Sequence, residues 1–166
     1  MSTVVLGLGT NMGDKLKNLN EAVHAISLLP DTAVDRISGV YITKPVGFAE
    51  QDDFYNAVIT VETNLSPNAV LGACLGIEAA MGRVRRLKNG PRIIDIDVLL
   101  YESYFSDSFE LTLPHPRIKE RAFVMVPLLE LFPSGRAPGL YFSPFALGKS
   151  ILFTISFQNV FCYWGI

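Results

Sequence analysis

FYNAVITVET, residues 54–63, is the stretch that decides the fold. Its apolar residues alternate with their neighbours over residues 57–61, which is typical of a β-strand with one face in a core. Directly after it, Ser66 and Pro67 supply an N-cap and a first-turn proline. The sequence therefore predicts a half-buried strand followed by a helix that ends near Gly82.

Outward from that pair, three other segments have the composition of strands: Thr3–Leu8, Ala33–Thr43 and Arg92–Leu100. Apolar residues recur at helical spacing from Asp14 until Pro30 stops the pattern. The resulting order, strand–helix–strand–strand–helix–strand, is that of a ferredoxin-like α+β sandwich, with an antiparallel sheet flanked by helices.

A last helix is predicted over Ile118–Phe132, with a break at Pro127. The 166 residues suffice for one domain with a sizeable core, and residues 1–166 are expected to form a single domain. An apolar content of 49% against 18% charged residues excludes disorder. The formal charge of −2 argues against a protein that binds nucleic acid through bulk positive charge.

The sequence also favours a compartment. The N-terminus lacks the features of a secretory signal, and no stretch is long and apolar enough to span a bilayer. Cys74 and Cys162 make neither a disulfide framework nor a thiolate cluster, and both are expected to be buried apolar residues. We therefore expect a cytoplasmic protein.

Glycines follow the first predicted strand in residues 7–13, GLGTNMG, where a dinucleotide-binding loop would lie. The third glycine falls one residue late for G-x-G-x-x-G, and the ending of a P-loop is missing. We therefore interpret the segment as a tight turn from strand to helix, in which glycine permits close packing and positive φ.

Two carboxylates stand in the predicted strand Arg92–Leu100. Strand alternation places aliphatic side chains on one face: Ile94, Ile96, Val98 and Leu100. It places Asp95, Asp97 and Leu99 on the other face. Neighbouring ionised carboxylates are costly to bury without a cation, and Mg²⁺ takes one or two protein carboxylates together with substrate phosphates. The pair therefore predicts a Mg²⁺ site, and neutralisation by Arg83 or Arg92 is the alternative.

Cations crowd the sequence just before this strand: Arg83, Arg85, Arg86, Lys88 and Arg92. A second cluster follows with His115, Arg117 and Arg121. Guanidinium groups beside metal-binding carboxylates are what a polyphosphate requires, so the combination points to phosphoryl or nucleotidyl chemistry on a nucleoside triphosphate. A zinc site is less favoured, because the chain has only His24 and His115.

Several of these motifs resemble the 6-hydroxymethyl-7,8-dihydropterin pyrophosphokinase family of folate biosynthesis. Residues 90–97 (GPRIIDID) resemble its G-P-R-x-x-D-[IVL]-D motif, and residues 113–123 resemble its second motif. Residues 7–14 and 54–56 match in order, so the resemblance runs from about Val4 to Pro133. It implies a ferredoxin-like α+β fold and transfer of a pyrophosphoryl group from ATP to the pterin hydroxymethyl oxygen, with release of AMP.

The resemblance also implies roles by position. Asp95 and Asp97 would bind two Mg²⁺ ions that bridge the ATP phosphates, and would be catalytic together with Arg83 and Arg92. The residues implied in binding ATP are Glu78, Arg85, Arg92, Val98, His115 and Arg121. The residues implied in binding the pterin are Thr43, Val46, Phe54, Asn56 and Phe123. Phe54 and Phe123 would sandwich the flat ring, and Asn56 would recognise its hydrogen-bonding edge.

Some features depart from the family pattern or stay open. Residues 87–89 (LKN) stand where the family often carries an aromatic residue, and Phe54 replaces a common Tyr. The general base is either Asp97 or a hydroxyl whose pKa is lowered by metal. The rivals are another metal-dependent enzyme on a similar sandwich and a ferredoxin-like binding module. The expected partners are small-molecule substrates, with no nucleic acid, no stable membrane contact and a monomer or weak dimer.

The last 33 residues, Ser134–Ile166, differ from the rest. They hold 8 of the 18 aromatic residues, two basic residues and no acidic ones, and the mean hydropathy of the whole chain is +0.32. This divergent apolar segment could be a packed final strand and helix, a dimer surface, a membrane-surface contact or a sequence altered from the ancestral frame. We favour a packed C-terminal element, because two basic residues make a poor anchor for anionic lipid.

Overall fold

The computed structural model describes residues 1–45, 50–84 and 90–143, and the backbone of residues 153–155. Three residues named above, Val46, Arg85 and Cys162, lie outside this part of the chain.

The chain forms an α+β fold with three α-helices and a 3₁₀ helix in the described part. The helices are α1 (Lys15–Ser27), α2 (Pro67–Ala80), the 3₁₀ helix (Ile118–Glu120) and α3 (Ala122–Leu131). The first five strands are β1 (Ser2–Thr10), β2 (Thr32–Ile37), β3 (Val40–Thr43), β4 (Phe54–Thr63) and β5 (Asp95–Tyr101). Short strands follow: β6 (Ser106–Asp107), β7 (Thr112–Leu113), β8 (Arg136–Ala137), β9 (Leu140–Tyr141) and β10 (Phe153–Ile155).

The main sheet is antiparallel in the order β10-β3-β4-β1-β5, with β2 paired to the second half of β4. The helix caps agree with the sequence: Asp14 accepts from Lys17 N–H at the start of α1, and Ser66 accepts from Ala69 N–H at the start of α2. The predicted antiparallel sheet with flanking helices is confirmed.

The sheet separates two apolar cores. On one face, α1 and α2 pack on Val4, Leu6 and Leu8. On the other face, α3 packs on Val5 and Val58. The glycines of β1 interrupt the second face, since Gly7 lies opposite Val58 and Asp97, and Gly9 opposite Asn56 and Asp95. The α3 face therefore carries a polar end beside its core.

Two strand predictions need correction. The predicted strand Ala33–Thr43 is two strands, because the Ser38 hydroxyl accepts the Val58 N–H at 2.9 Å and replaces a backbone partner. In β5 the predicted position of Leu100 is wrong. The register shifts between Val5 and Leu6, so Leu100 joins Leu99 in the core under α3. A β-bulge of this kind reverses the alternation beyond it.

Two further boundary predictions also need correction. Pro127 lies inside α3 and does not break it. A proline inside a helix removes one backbone hydrogen bond, and here the tertiary packing of the buried residues of α3 overrides that preference. The predicted glycine turn is also shorter, because β1 continues to Thr10 and only Gly13 of residues 7–13 has a positive φ, at 61°. Gly7 and Gly9 are strand residues.

The buried position predicted for Cys74 is confirmed: it is 0% exposed, and burial raises the pKa of its thiol to about 12. Among the described residues, none of the helices has the length and apolar character needed to cross a bilayer.

Candidate active site

A cleft opens at the polar end of the sheet, above β1, β4 and β5. Its cavity volume is about 100 Å³, and its lining residues are Gly9, Thr43, Lys44, Phe54, Arg92, Asp95, Arg121 and Phe123. Six of these eight are residues that the sequence predicted for substrate or metal binding. The structure therefore brings the predicted pterin residues Thr43, Phe54 and Phe123 to one place with the predicted phosphate and metal residues Arg92, Asp95 and Arg121.

Gly9 forms the floor of the cleft. A Cβ atom built on Gly9 would lie 3.3 Å from Asn56 Oδ1 and 4.0 Å from Asp95 Cβ. Because Gly9 pairs with Asn56 on one side and with Asp95 on the other, it separates an amide from a carboxylate by one strand.

The Asn56 amide has a defined orientation. It is 5% exposed, and its Nδ2 donates to Thr43 Oγ1 at 2.9 Å and to the Tyr41 carbonyl at 3.4 Å. Oδ1 therefore faces the other way, towards Gly9. A buried amide held like this presents an acceptor to a ligand lying on the glycine floor.

Two aromatic rings stand in the cleft, and each has a guanidinium close by. Arg92 Cζ lies 5.6 Å from the centroid of the Phe54 ring, and Arg121 Cζ lies 5.7 Å from that of Phe123. Contacts at this distance are favourable cation–π interactions. The rings provide apolar faces suited to a flat heterocycle.

The two carboxylates of β5 lie on the same face of the strand, as predicted, and both contact arginines. Asp95 accepts from Arg83 through Oδ1 and from Arg92 through Oδ2, the latter at 2.8 Å. Asp97 Oδ2 accepts from Arg121 at 3.0 Å. Their side chains are 24% and 37% exposed, so ligands can reach both of them.

Glu78 is a buried carboxylate that holds Arg83 and β5 together. Its side chain is 4% exposed, it pairs with Arg83, and its Oε1 accepts the Ile96 N–H at 2.7 Å. One buried carboxylate thereby ties the end of α2 to β5 and holds Arg83 beside Asp95. The predicted role of Glu78 in binding ATP stays a prediction, and in the structure its contacts are to the protein.

His115 lies close to Asp97 at the edge of the cluster. Its backbone N–H donates to the Leu99 carbonyl at 2.8 Å, and its Nδ1 accepts the Arg117 N–H at 3.2 Å. Burial lowers its pKa below the ordinary 6.5; the charge of Asp97 opposes the shift, and those of Arg121 and Arg117 add to it. The ring is thus neutral near pH 7, with its proton on Nε2, where it can donate to an anion.

We expect His115 to titrate below 6.5 in the free protein, as measured by the shift of its Cε1 proton in NMR, with His115→Gln assigning the resonance. As the pH falls below about 6.5, His115 takes up a proton in the unfolded chain before it does so in the folded protein. Protonation of His115 therefore lowers the stability of the fold below about pH 6.5. Tripolyphosphate beside the ring should raise the pKa again. A pKa at or above 6.5 in the free protein would contradict the assignment.

The donor set of the cleft fits Mg²⁺. Among residues 1–45, 50–84 and 90–143, there is no cluster of three or more His, Cys, Asp or Glu side chains that could hold a metal ion with protein ligands alone. Asp95 and Asp97 are two carboxylates on one face, and Mg²⁺ commonly takes one or two carboxylates and completes its octahedron with water and substrate phosphates. In the structure, arginines neutralise both carboxylates, which for Asp95 is the alternative that the sequence left open, and the Mg²⁺ site stays a prediction.

Three predicted residues contribute no described side chain either to the cleft lining or to the polar residues beside it. Val98 is 5% exposed and packs in the α1–α2 core, so only its backbone is available to a nucleotide. Val46 and Arg85 lie outside the described residues.

Sequence reasoning missed other features of the site. It treated Asn11 only as part of the glycine segment, yet this residue is 2% exposed and hydrogen-bonds to Arg92. It also missed Lys44, an exposed cation that lines the cleft and pairs with Asp53 at 3.0 Å. A buried Asn after a strand is a usable signal, because a buried amide needs partners.

Replacing Gly9 with Ala should weaken binding of a ligand to the cleft by roughly tenfold, because the new methyl group presses on Asn56 Oδ1 and fills the floor. Equilibrium titration with the pterin checks this. Gly72→Ala is the matched control, since a Cβ at that exposed position on α2 meets nothing within 4 Å. Equal affinities for the two variants would rule out the floor role of Gly9.

Fold and site together define an α+β protein whose cleft combines two aromatic rings with carboxylates that are paired to arginines. Residues 5–133 match the family described as 7,8-dihydro-6-hydroxymethylpterin-pyrophosphokinase (HPPK). The chain belongs to that family. The match ends where the divergent apolar segment begins.

Individual relatives agree. The chain is 47% identical over 133 residues to a 2-amino-4-hydroxy-6-hydroxymethyldihydropteridine pyrophosphokinase of Methylorubrum extorquens, covering 80% of this chain and 84% of that protein. It is 39% identical to a protein of the same name from Pseudomonas aeruginosa, covering 81% and 83%. It is 40% identical to the folic acid synthesis protein fol1 of Schizosaccharomyces pombe, covering 77% of this chain and 18% of that larger protein.

Solved structures share the fold. A Plasmodium falciparum HPPK-DHPS structure with SDX-DHP has a TM-score of 0.64 and 16% identity, and the match covers 89% of this chain and 43% of that one. The chain thus spans less than half the length of the solved proteins it resembles. The relatives named as pyrophosphokinases and the family match make the chain an enzyme of the pyrophosphokinase class.

Proposed function

We propose that the chain transfers the pyrophosphoryl group of ATP to the hydroxymethyl oxygen of 6-hydroxymethyl-7,8-dihydropterin, in the presence of Mg²⁺, and so produces the pterin diphosphate and AMP for folate biosynthesis. One observation carries the proposal. On the two sides of Gly9 lie an oriented amide, Asn56, and a carboxylate held by arginines, Asp95. A flat ring and a charged triphosphate can therefore meet over the same floor.

The ring-binding half suits a pterin. Phe54 and Phe123 provide aromatic faces, and a bicyclic heterocycle gains from offset stacking on them. Asn56 is fixed through Thr43 and offers Oδ1 to the donors on the pterin edge. Such a site rejects rings that lack those donors, because its buried acceptor would be left unpaired.

The anion-binding half suits a triphosphate. Arg83, Arg92 and Arg121 each bind one of the β5 carboxylates in the free protein, and a guanidinium makes equally good paired hydrogen bonds to phosphate oxygens. We therefore assign the three arginines, with the neutral donor His115, to the phosphates. Exchange of a carboxylate for a phosphate keeps each guanidinium partnered throughout binding.

Asp95 and Asp97 are the residues assigned to hold Mg²⁺. When bound, the metal would neutralise charge on the phosphate oxygens and act as a Lewis acid. The described residues themselves contribute position and electrostatics: the rings and Asn56 fix the hydroxymethyl group, and the arginines orient the β-phosphoryl group towards it. We place this activity in a single domain acting on small molecules, as a monomer or weak dimer.

The test is a pterin-dependent AMP assay. Purified protein with Mg-ATP should release AMP only when 6-hydroxymethyl-7,8-dihydropterin is added, and EDTA should abolish the release. Release of inorganic phosphate without pterin would favour a phosphohydrolase on the same sandwich. Binding of both ligands without any product would favour a binding module.

A further inference from the structure

Asn11 follows β1 directly and is bound to Arg92 from both directions. Its backbone N–H donates to the Arg92 carbonyl at 3.1 Å, and its side-chain Oδ1 accepts the Arg92 N–H at 2.9 Å. The two bonds close a ring between the residues, so the Arg92 backbone is fixed relative to the sheet. Asn11 is 2% exposed, which makes both bonds costly to break.

The other end of the same amide holds a different segment. Asn11 Nδ2 donates to Gln51 Oε1 at 2.8 Å and to the Asp52 carbonyl at 3.1 Å. Asp52 lies two residues before Phe54, which begins β4 and forms a wall of the cleft. The amide therefore fixes the approach of the chain to Phe54.

The two segments joined by Asn11 meet again in the cleft. The Arg92 guanidinium lies 5.6 Å from the Phe54 ring and donates to Asp95 at 2.8 Å. We propose that Asn11 is a positioning residue, whose single buried amide sets the ring-binding wall at Phe54 against the phosphate-binding Arg92. This inference rests on the proposed function, which assigns Phe54 to the pterin and Arg92 to the phosphates.

Asn11 acts through these neighbours and does not bind substrate itself. Both hydrogens of its Nδ2 have protein acceptors, and the side chain is buried beneath the segments it joins. Misplacement of a substrate-binding group by about 1 Å can reduce turnover a hundredfold, so a residue of this kind can matter without touching the reactants.

Asn18 provides a matched control. It is also a buried amide, 7% exposed, and its Nδ2 donates to Thr10 Oγ1 at 3.2 Å and to the Met12 carbonyl at 2.8 Å. Asn18→Ala removes two side-chain amide hydrogen bonds from the same turn, the same number of donors that Asn11→Ala removes. In Asn18→Ala, the hydrogen bonds from Asn11 to the segments that carry Arg92 and Phe54 are kept.

The first measurement is the steady-state kinetics of Asn11→Ala, Asn11→Asp and Asn18→Ala. Asn11→Ala should lower kcat/KM for the pterin by roughly thirtyfold, and Asn18→Ala by less than about threefold even where both lose stability. Asn11→Asp keeps the acceptor for the Arg92 N–H and loses both donors to residues 51–52. It should therefore raise the KM for the pterin and leave that for ATP within about threefold of the wild type.

The second measurement does not need turnover. Hydrogen exchange at the Arg92 amide and in the segment that leads to Phe54 should be faster by roughly tenfold or more in Asn11→Ala, and unchanged there in Asn18→Ala. A wild-type protein that makes no AMP would refute the proposed function, and the exchange result would still decide the positioning role. Unchanged exchange in Asn11→Ala, or equal kinetics of Asn11→Ala and Asn18→Ala, would overturn the inference.

Discussion

Asp97→Asn should reduce kcat by roughly a thousandfold, while the KM for the pterin stays within about threefold of the wild type. The amide keeps an oxygen that can accept from Arg121, so the local hydrogen bonding and packing survive. It loses the negative charge that a metal requires, at a carboxylate 37% exposed to the cleft. Steady-state kinetics with both substrates measure kcat and the KM for the pterin separately.

Asp107→Asn is the control for this experiment, because Asp107 is an exposed carboxylate on β6, away from the cleft lining. It should leave kcat and both KM values unchanged. Asp97 is a better target than Asp95, which orients two arginines as well. A turnover near that of the wild type in Asp97→Asn would refute the assignment of the β5 carboxylates to a metal.

Glu78→Gln should lower the free energy of unfolding by about 2 kcal/mol, because the largely buried Arg83 loses one of its two carboxylate partners and keeps only Asp95. Arg83 is only 11% exposed, and Glu78 is 4% exposed. The glutamine can still accept the Ile96 N–H, so the variant isolates the charge from the hydrogen bond. Urea unfolding measures the difference.

Glu21→Gln serves as the matched charge removal. Glu21 pairs with Lys17 at 3.7 Å across one turn of α1, with side chains 53% and 67% exposed, and such surface pairs contribute about 0.5 kcal/mol or less. The two variants lose the same charge and differ in burial. Equal unfolding free energies for both would show that the Glu78–Arg83 pair does not stabilise the fold.

Local patterns predicted the fold well where each residue's neighbours along the chain decide its environment. The alternation of β5 correctly placed Asp95 and Asp97 on one face, because period two follows from the strand itself. The same rule failed at Leu100, since the bulge depends on the pairing of β5 with β1. Likewise, the break at Ser38 depends on a bond to Val58, a residue twenty positions away.

The sequence predicted which residues belong to the site, but it did not predict all of the contacts that their side chains make with one another. Motif resemblance named Phe54, Asn56 and Asp95, and the structure brings them around Gly9. Neutralisation of Asp95 by Arg83 and Arg92, which the sequence left open as an alternative to Mg²⁺, is what the structure shows. The pairing of Arg121 with Asp97 was not predicted, because only the folded chain brings these two residues together. The hydrogen-bond partners of Asn11 were not predictable either, because they lie 40 and 81 residues away along the chain.

The segment after residue 133 was also predictable only in part. Its unusual composition was visible in the sequence, and the family match stops at its start. In the described part of it, Phe153–Ile155 form β10 and pair with β3, so the chain returns to the edge of the main sheet. The packed C-terminal element favoured by the composition stays a prediction for the rest of that segment.

Deletion from residue 144 should lower solubility or stability without changing binding to lipid vesicles.

The most direct test of the account follows the β-phosphorus of ATP. In a reaction of the protein with Mg-ATP and 6-hydroxymethyl-7,8-dihydropterin, ³¹P NMR should show the β- and γ-phosphorus atoms leaving together on the pterin as a diphosphate, with AMP as the other product. A pterin monophosphate with ADP, or a pterin joined to AMP with free pyrophosphate, would contradict pyrophosphoryl transfer.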